Sequence, residues 1–246
     1  MANPLNILLI QIRRRDDPMA AHEATCVARR LGTRSVALTT ANAFETLAET
    51  QWLAGVDGVI IGGSGAFSVH HPLSRRWVPA LRVLLEEMLV RQVPGFGVCF
   101  GHQLLGHHLG AEVATIPEHA EVGTVTVSLT AQGQADPVFG PVGAQLEVHT
   151  GHSDSVMSVP GGVVLLAENG ALKSQAFRVR DAPFYSTQFH PDITGAEARE
   201  RYRAYQASLA TDVPNATEEK LERYRPGQDA STALIGHFVD EIVATQ

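Results

Sequence analysis

The stretch that decides the fold is PGFGVCFGHQLLG, residues 94–106. A short apolar run ends at Cys99, glycines stand at positions 97 and 101, and a helical pattern follows. This order is typical of a nucleophile elbow, a strand-to-helix turn too tight for side chains beside the nucleophile. The stretch therefore predicts an α/β protein with Cys99 at the carboxyl end of a buried strand.

Strand-like and helix-like segments alternate on both sides of this elbow. Apolar runs at residues 5–12, 35–39 and 57–61 predict buried parallel strands. The segments between the strands predict helices at residues 18–32, 43–54 and 73–93. Shorter runs within residues 120–188 predict antiparallel strands. We expect an α/β fold with a mostly parallel central sheet, flanking helices and a small antiparallel part.

The end of the sequence has a different pattern. From Thr194 onward it is polar and helical, with an interruption at Asp212–Pro214 and a final amphipathic stretch from residue 230. We predict one domain over residues 1–193. Residues 194–246 are expected to form a helical extension that packs on this domain.

Composition excludes several classes of protein. The 246 residues carry a net charge of -7, which argues against a general nucleic-acid binder. No apolar run approaches the ~20 residues that span a bilayer, and no signal peptide is recognisable. The two cysteines cannot form a disulfide scaffold. Cys26 lies on a predicted helix among apolar neighbours, so it is expected to pack in the core. We expect a cytoplasmic protein in which residues 13–15, three arginines, form a solvated face.

Cys99 stands where a thiol can act as a nucleophile. The unpaired N–H groups and the macrodipole of the following helix stabilise a thiolate, and the Phe100 amide points to where an oxyanion would form. Such a nucleophile needs a base and a group that orients the base. The pattern QFHPD, residues 188–192, follows a predicted strand and supplies His190 and Asp192. The alternative is that Cys99 is only a small buried residue.

The glycine loop GGSG, residues 62–65, follows the third predicted strand and falls at the same sheet edge. A free amide of Gly63 is the candidate second oxyanion donor. Phosphate binding is the alternative, but the loop lacks the lysine and hydroxyl residue of a Walker loop. A metal site among the 11 histidines is another alternative, although no paired ligand spacing supports it. We therefore predict neither a metal nor a cofactor.

Four segments together resemble the class I, or triad-type, glutamine amidotransferase family. They are GGSG (62–65), GVCFGHQ (97–103), HSDSV (152–156) and QFHPD (188–192), in the family's order. The resemblance covers roughly residues 5–193 and is closest to stand-alone members similar to the amidase domain of GMP synthase. It implies the flavodoxin-like fold of this family. The roughly fifty residues outside the resemblance are too few for a nucleotide-binding synthase domain, and none is expected within this sequence.

The resemblance also implies a reaction. Cys99 would attack the side-chain amide of glutamine to form a γ-glutamyl thioester, and His190 would protonate the departing ammonia and then activate water. The amides of Gly63 and Phe100 would form the oxyanion hole. The residues implied to hold the substrate are Gln103, His152, Ser153 and Asp154, the last three largely through backbone.

Two positions depart from the family's pattern. Asp192 stands where the family usually has glutamate, so its carboxylate stem is one methylene shorter and its bond to His190 could be looser. Ser64 stands where many relatives have proline, which affects the rigidity of the glycine loop.

Several functions stay open at this point. The first is a glutaminase that releases glutamate and ammonia and whose partner is a separate synthase subunit. The second is a stand-alone γ-glutamyl hydrolase or peptidase with the same thioester chemistry. The third is a non-catalytic regulatory protein on the same fold. A cysteine hydrolase acting on esters shares the elbow but does not explain Gln103 or residues 152–156.

Overall fold

The computed structural model describes residues 3–208 and 218–246. The strands in these ranges are β1 (Leu5–Gln11), β2 (Val36–Asn42), β3 (Gly58–Ile61), β4 (Gly95–Val98), β5 (Val113–Thr115), β6 (Glu121–Leu129), β7 (Gln145–His152), β8 (Asp154–Val156), β9 (Val163–Glu168), β10 (Ala176–Val179) and β11 (Phe184–Thr187). The α-helices are α1 (Met19–Ala28), α2 (Val78–Val90), α3 (Phe100–His108), α4 (Ala131–Ala135), α5 (Gly195–Ser208), α6 (Glu218–Glu222) and α7 (Leu234–Glu241). None of these helices has the length and apolar content that crossing a bilayer requires.

One large sheet organises the described residues, in the order β2-β1-β3-β4-β11-β10-β9-β6-β7. The pairings are parallel from β2 to β11 and antiparallel from β11 to β7. A separate antiparallel pair joins β5 to β8. The predicted fold, a mostly parallel central sheet with flanking helices and a small antiparallel part, is confirmed.

The parallel part of the sheet is buried on both faces. Along β1, Leu8 and Ile10 belong to one core cluster, whereas Ile7 and Leu9 belong to the other. This alternation follows from the two-residue period of a strand, and it explains why the run is continuously apolar. α2 and α3 cover the first face, while α1 and α7 cover the second.

The C-terminal helix α7 is part of the second core. Its buried residues Leu234, Ile235, Phe238 and Val239 form one apolar stripe. The Phe238 ring packs against the ring of Phe96, with centroids 5.4 Å apart. Each large apolar side chain buried in this way contributes roughly 1.5–3 kcal/mol.

Two predicted helices differ from the structure. The helix expected over residues 43–54 is wrong, because only Thr50–Leu53 forms a 3-10 turn. The Asn42 carboxamide accepts the N–H groups of Arg13 and Phe44, so it favours a turn over a helix at this point. The helix expected from residue 73 begins as α2 at Val78, after a 3-10 turn over Pro72–Arg76. The predicted interruption at Asp212–Pro214 lies outside the described residues.

The topology brings the candidate motifs to one edge. Because β1, β3, β4 and β11 run parallel, their carboxyl ends share one side of the sheet. The glycine loop follows β3, Cys99 follows β4, and His190 lies shortly after β11.

Candidate active site

Cys99 forms a strained turn between β4 and α3. Its φ of 50° and ψ of -94° lie in a region that non-glycine residues rarely adopt. The Cys99 N–H donates to the Thr187 carbonyl at 2.8 Å, which ties the turn to β11. A Cβ at Gly101 would overlap the Ile61 carbonyl, so the glycine after the nucleophile is required by space. These features fit the nucleophile elbow expected from the sequence.

His190 and Asp192 lie directly beside this turn. The His190 N–H donates to the His149 carbonyl at 2.9 Å, which fixes the backbone of the residue. The ring Nδ1 lies 2.9 Å from Asp192 Oδ1, so the shorter aspartate still makes a bond of ordinary length. Both side chains are buried. The looser bond that the sequence left open is therefore not observed.

Electrostatic interactions favour the charged forms of both His190 and Asp192. Burial lowers the pKa of His190, but the Asp192 carboxylate, aided by Cys99, outweighs it and raises this pKa to about 9. Burial likewise opposes the charged form of Asp192. The charges of Arg201 and His190 outweigh that effect and hold the pKa of Asp192 far below its usual range. Asp192 is thus ionised and can hold a proton on His190 Nδ1.

Gly63 lies beside both Cys99 and His190. A Cβ at Gly63 would lie 2.9 Å from His190 Cε1 and 3.8 Å from Cys99 Cβ. The loop is anchored by the Gly62 N–H, which donates to the Ile10 carbonyl at 2.9 Å. Ser64 Oγ accepts the Phe67 N–H at 2.9 Å, so a hydrogen bond holds the loop where a proline would stiffen it.

Phe100 begins α3, where the first backbone N–H groups have no acceptor within the helix. Its side chain is buried and packs against the ring of Trp77, with centroids 5.5 Å apart. Gly63 and Phe100 thus both lie next to Cys99, so their N–H groups remain the predicted oxyanion donors.

Three of the four residues predicted to hold a substrate share one hydrogen-bonded cluster. Gln103 Nε2 donates to the Asp154 carbonyl at 2.8 Å, and His152 Nδ1 lies 3.1 Å from the same oxygen. His152 and Ser153 line the cavity beside His190. The Asp154 carboxylate instead accepts a hydrogen bond from the Thr115 hydroxyl, so this side chain is occupied within the protein.

The cavity at this edge has a volume of about 310 Å³, at the lower end of the ~300–1,000 Å³ of small-molecule sites. The glycine loop and β7 contribute to its lining. The C-terminal segment contributes further residues that no sequence motif singled out: Ala198, Arg201, Tyr202, Tyr205, Lys220 and Tyr224.

Two buried arginines extend the site. Arg201 Nη1 lies 2.8 Å from Asp192 Oδ2. Arg13 also lines the cavity, and its Nη2 lies 2.8 Å from Glu23 Oε1. The expectation that Arg13 belongs to a solvated face is wrong, since its side chain is 1% exposed. Its partner Glu23 lies on α1, the helix after β1, and no pattern in the sequence marks the pair.

Cys26 and His102 are both buried in the core. Cys26 is buried on α1 against Ile193 and Tyr224, and burial raises its pKa to about 12. His102 is fully buried and its pKa falls to about 3 for the same reason. Within the described residues, no group of three or more histidine, cysteine or carboxylate side chains could hold a metal ion.

Several known proteins resemble this chain in sequence or in fold. The family model "Glutamine amidotransferase class-I" matches residues 24–206. The chain is 28% identical over 141 residues to a glutamine-hydrolyzing GMP synthase subunit of Thermoplasma acidophilum, covering 57% of this chain and 66% of that one. It is 30% identical over 169 residues to the corresponding subunit of Sulfolobus acidocaldarius, covering 68% and 80%.

The first of these alignments spans just under two thirds of the relative's length. A solved structure, a glutamine amidotransferase from Thermotoga maritima, superposes with a TM-score of 0.74 at 18% identity, covering 98% of this chain and 99% of that one. At this identity the likeness shows the fold alone. Because the family model matches most of the chain, the protein belongs to the class I glutamine amidotransferase family.

Proposed function

We propose that the protein hydrolyses the side-chain amide of glutamine to glutamate and ammonia. The observation that carries this proposal is the position of the His190 ring. Its Nδ1 is bonded to the buried Asp192, while its opposite edge faces Gly63 and Cys99. A base held in this way can take a proton from a thiol and return it to a leaving amine.

The reaction has two stages. Cys99 Sγ attacks the amide carbon, and the oxyanion is stabilised by the N–H groups of Gly63 and Phe100. The protonated His190 gives its proton to the leaving nitrogen, so ammonia departs and a γ-glutamyl thioester remains. The neutral imidazole then removes a proton from water, which attacks the thioester and releases glutamate and the Cys99 thiol.

Substrate holding is proposed for the cluster around β7. Gln103, His152, Ser153 and the backbone of Asp154 would bind the α-amino and carboxylate groups of glutamine. The hydrogen bond from Gln103 to the Asp154 carbonyl supports this role, because it fixes residues 152–154 beside the cavity. Two relatives are named as one subunit of GMP synthase. By analogy, the partner that receives the ammonia would be a separate synthase subunit.

The test measures glutamate and ammonia from glutamine with the wild type, Cys99→Ser and Cys26→Ala. Cys26 is the matched control, since it is the other buried thiol. We expect Cys99→Ser to lose activity by at least about 10³-fold and Cys26→Ala to stay within about twofold. A glutamine-analogue electrophile should label Cys99 alone, as read by mass spectrometry. Unlabelled Cys99 together with absent hydrolysis would reject the proposal.

A γ-glutamyl hydrolase is the second candidate. It is favoured by the lining of the cavity beside His190, which includes Tyr202, Tyr224 and Lys220, side chains that would contact a larger leaving amine. Comparing kcat/KM for glutamine with kcat/KM for a γ-glutamyl dipeptide distinguishes the two. A dipeptide preferred by tenfold or more would favour the second candidate.

A further inference from the structure

The Asp192 carboxylate has a second partner that is not part of the predicted triad. Its Oδ1 faces His190 Nδ1 at 2.9 Å, while its Oδ2 accepts a hydrogen bond from Arg201 Nη1 at 2.8 Å. The side chains of Asp192 and Arg201 are 2% and 6% exposed. The carboxylate is therefore held from both sides, away from water.

Arg201 comes from α5, in the segment beyond the family's motifs. A carboxylate bound through only one oxygen can rotate about its terminal bond. A charge-assisted bond to the second oxygen fixes the plane of the group, because the guanidinium is planar and always charged. Arg201 thus keeps Oδ1 directed at His190 although the aspartate stem is short.

Charged and titratable groups surround the guanidinium. Arg201 Nη1 lies 3.4 Å from His190 Nδ1, and Nη2 lies 3.5 Å from His22 Nδ1. The Glu23 carboxylate and the Cys26 thiol also act on it electrostatically. Because Arg201 and a protonated His190 carry like charges, Arg201 opposes protonation of the ring while it stabilises the ionised Asp192.

We propose that Arg201 is a positioning residue for the reaction, orienting the Asp192 carboxylate toward His190 and limiting the proton affinity of the imidazole. This inference rests on the proposed roles of His190 and Asp192. With this role for Arg201, α5 becomes part of the active site, although it lies outside the family's motifs.

The experiment compares Arg201→Met, Arg201→Lys, Asp192→Asn and the double variant Asp192→Asn/Arg201→Met. The control is Arg203→Met, which removes an exposed arginine from the same helix. The first measurement is the rate of Cys99 alkylation by iodoacetamide against pH, followed on the Cys99 peptide by mass spectrometry. It needs no glutamine, so its result is independent of whether glutamine is the substrate.

The inflection that carries the test is the one at which His190 loses its proton beside the Cys99 thiolate. We expect Arg201→Met to move this inflection upward by about one pH unit, because a like charge beside His190 is lost. Asp192→Asn should move the inflection downward, and Arg201→Lys should lie between Arg201→Met and the wild type. Cys99 and His149 also face His190 and are unchanged in every variant. An unmoved profile in a folded Arg201→Met protein would overturn the proposal.

The second measurement is glutamine hydrolysis. Arg201→Met should lower kcat about tenfold or more with little change in KM, and the double variant should be no slower than Asp192→Asn. If the kcat losses of Arg201→Met and Asp192→Asn multiply in the double variant, the proposal is overturned, because Arg201 would then not act through Asp192. If Arg201→Met does not fold, the double variant, which removes both buried charges, and Arg201→Lys provide the comparison. A shifted alkylation profile without any hydrolysis supports the inference and rejects glutamine as substrate.

Discussion

Cys99 should be a position where glycine is more stable than alanine. Its φ of 50° is strained for any residue with a Cβ, at a cost of roughly 1–3 kcal/mol. At an ordinary position glycine is less stable than alanine by roughly 0.5–1 kcal/mol. The difference predicts that the free energy of unfolding of Cys99→Gly exceeds that of Cys99→Ala by about 1 kcal/mol.

The assay is equilibrium unfolding in urea under reducing conditions, with Cys99→Gly and Cys99→Ala measured side by side. Both variants lack Sγ, so the loss of the thiol cancels between them. For a chain of this length the difference corresponds to about 2–4 °C in melting temperature. Ala21→Gly, on the exposed face of α1, is the control and should show the ordinary loss of about 1 kcal/mol. If Cys99→Ala equals or exceeds Cys99→Gly in stability, the turn is not strained.

Three further predictions concern the neighbours of Cys99. The pKa of His190, raised from 6.5 to about 9, means that its protonation stabilises the fold below pH 6.5 and that this contribution is lost as pH rises through 9. Unfolding of the wild type and His190→Gln at several pH values should show this slope only in the wild type. Gly63→Ala should lower kcat roughly 10–100-fold, because its Cβ would lie 2.9 Å from His190 Cε1, whereas Gly161→Ala, with open space around it, should not. Asp192→Ala should be milder than His190→Ala in kcat but should cost about 3 kcal/mol of unfolding free energy by leaving Arg201 buried and unpaired.

A specific outcome would contradict each of these three predictions. Parallel pH profiles for the wild type and His190→Gln would mean that the histidine is not stabilised in its charged form. Full activity of Gly63→Ala would mean that the glycine loop can move away from His190. An unchanged unfolding free energy in Asp192→Ala would mean that water or another acceptor reaches Arg201.

The sequence predicted those parts of the site that depend on local geometry. The elbow at Cys99 could be predicted because tight turns require glycine at fixed offsets. His190 could be predicted because it lies three residues after the end of a strand. The alternation of apolar segments likewise predicted the sheet and the flanking helices. These signals lie within a few residues of the atoms that they position.

Interactions between distant segments could not be predicted in the same way. Arg201 lies on a polar helix with no motif, and its pairing with Asp192 depends on how α5 packs across the sheet edge. Arg13 looked like one of three solvated arginines, because nothing local shows that Glu23 faces it in the core. The helix expected over residues 43–54 failed for a related reason, since Asn42 bonds to Arg13 on another strand end.

The pairing of Asp192 with Arg201 also constrains how this protein could have diverged. Loss of either partner alone leaves a buried charge, at a cost of roughly 3–5 kcal/mol against a typical total stability of 5–15 kcal/mol. The two positions should therefore change together during evolution. Among aligned relatives, we expect aspartate at position 192 to occur with arginine at position 201, and glutamate to be free of that association. The pair would then mark a lineage within the family, defined by how the histidine is held.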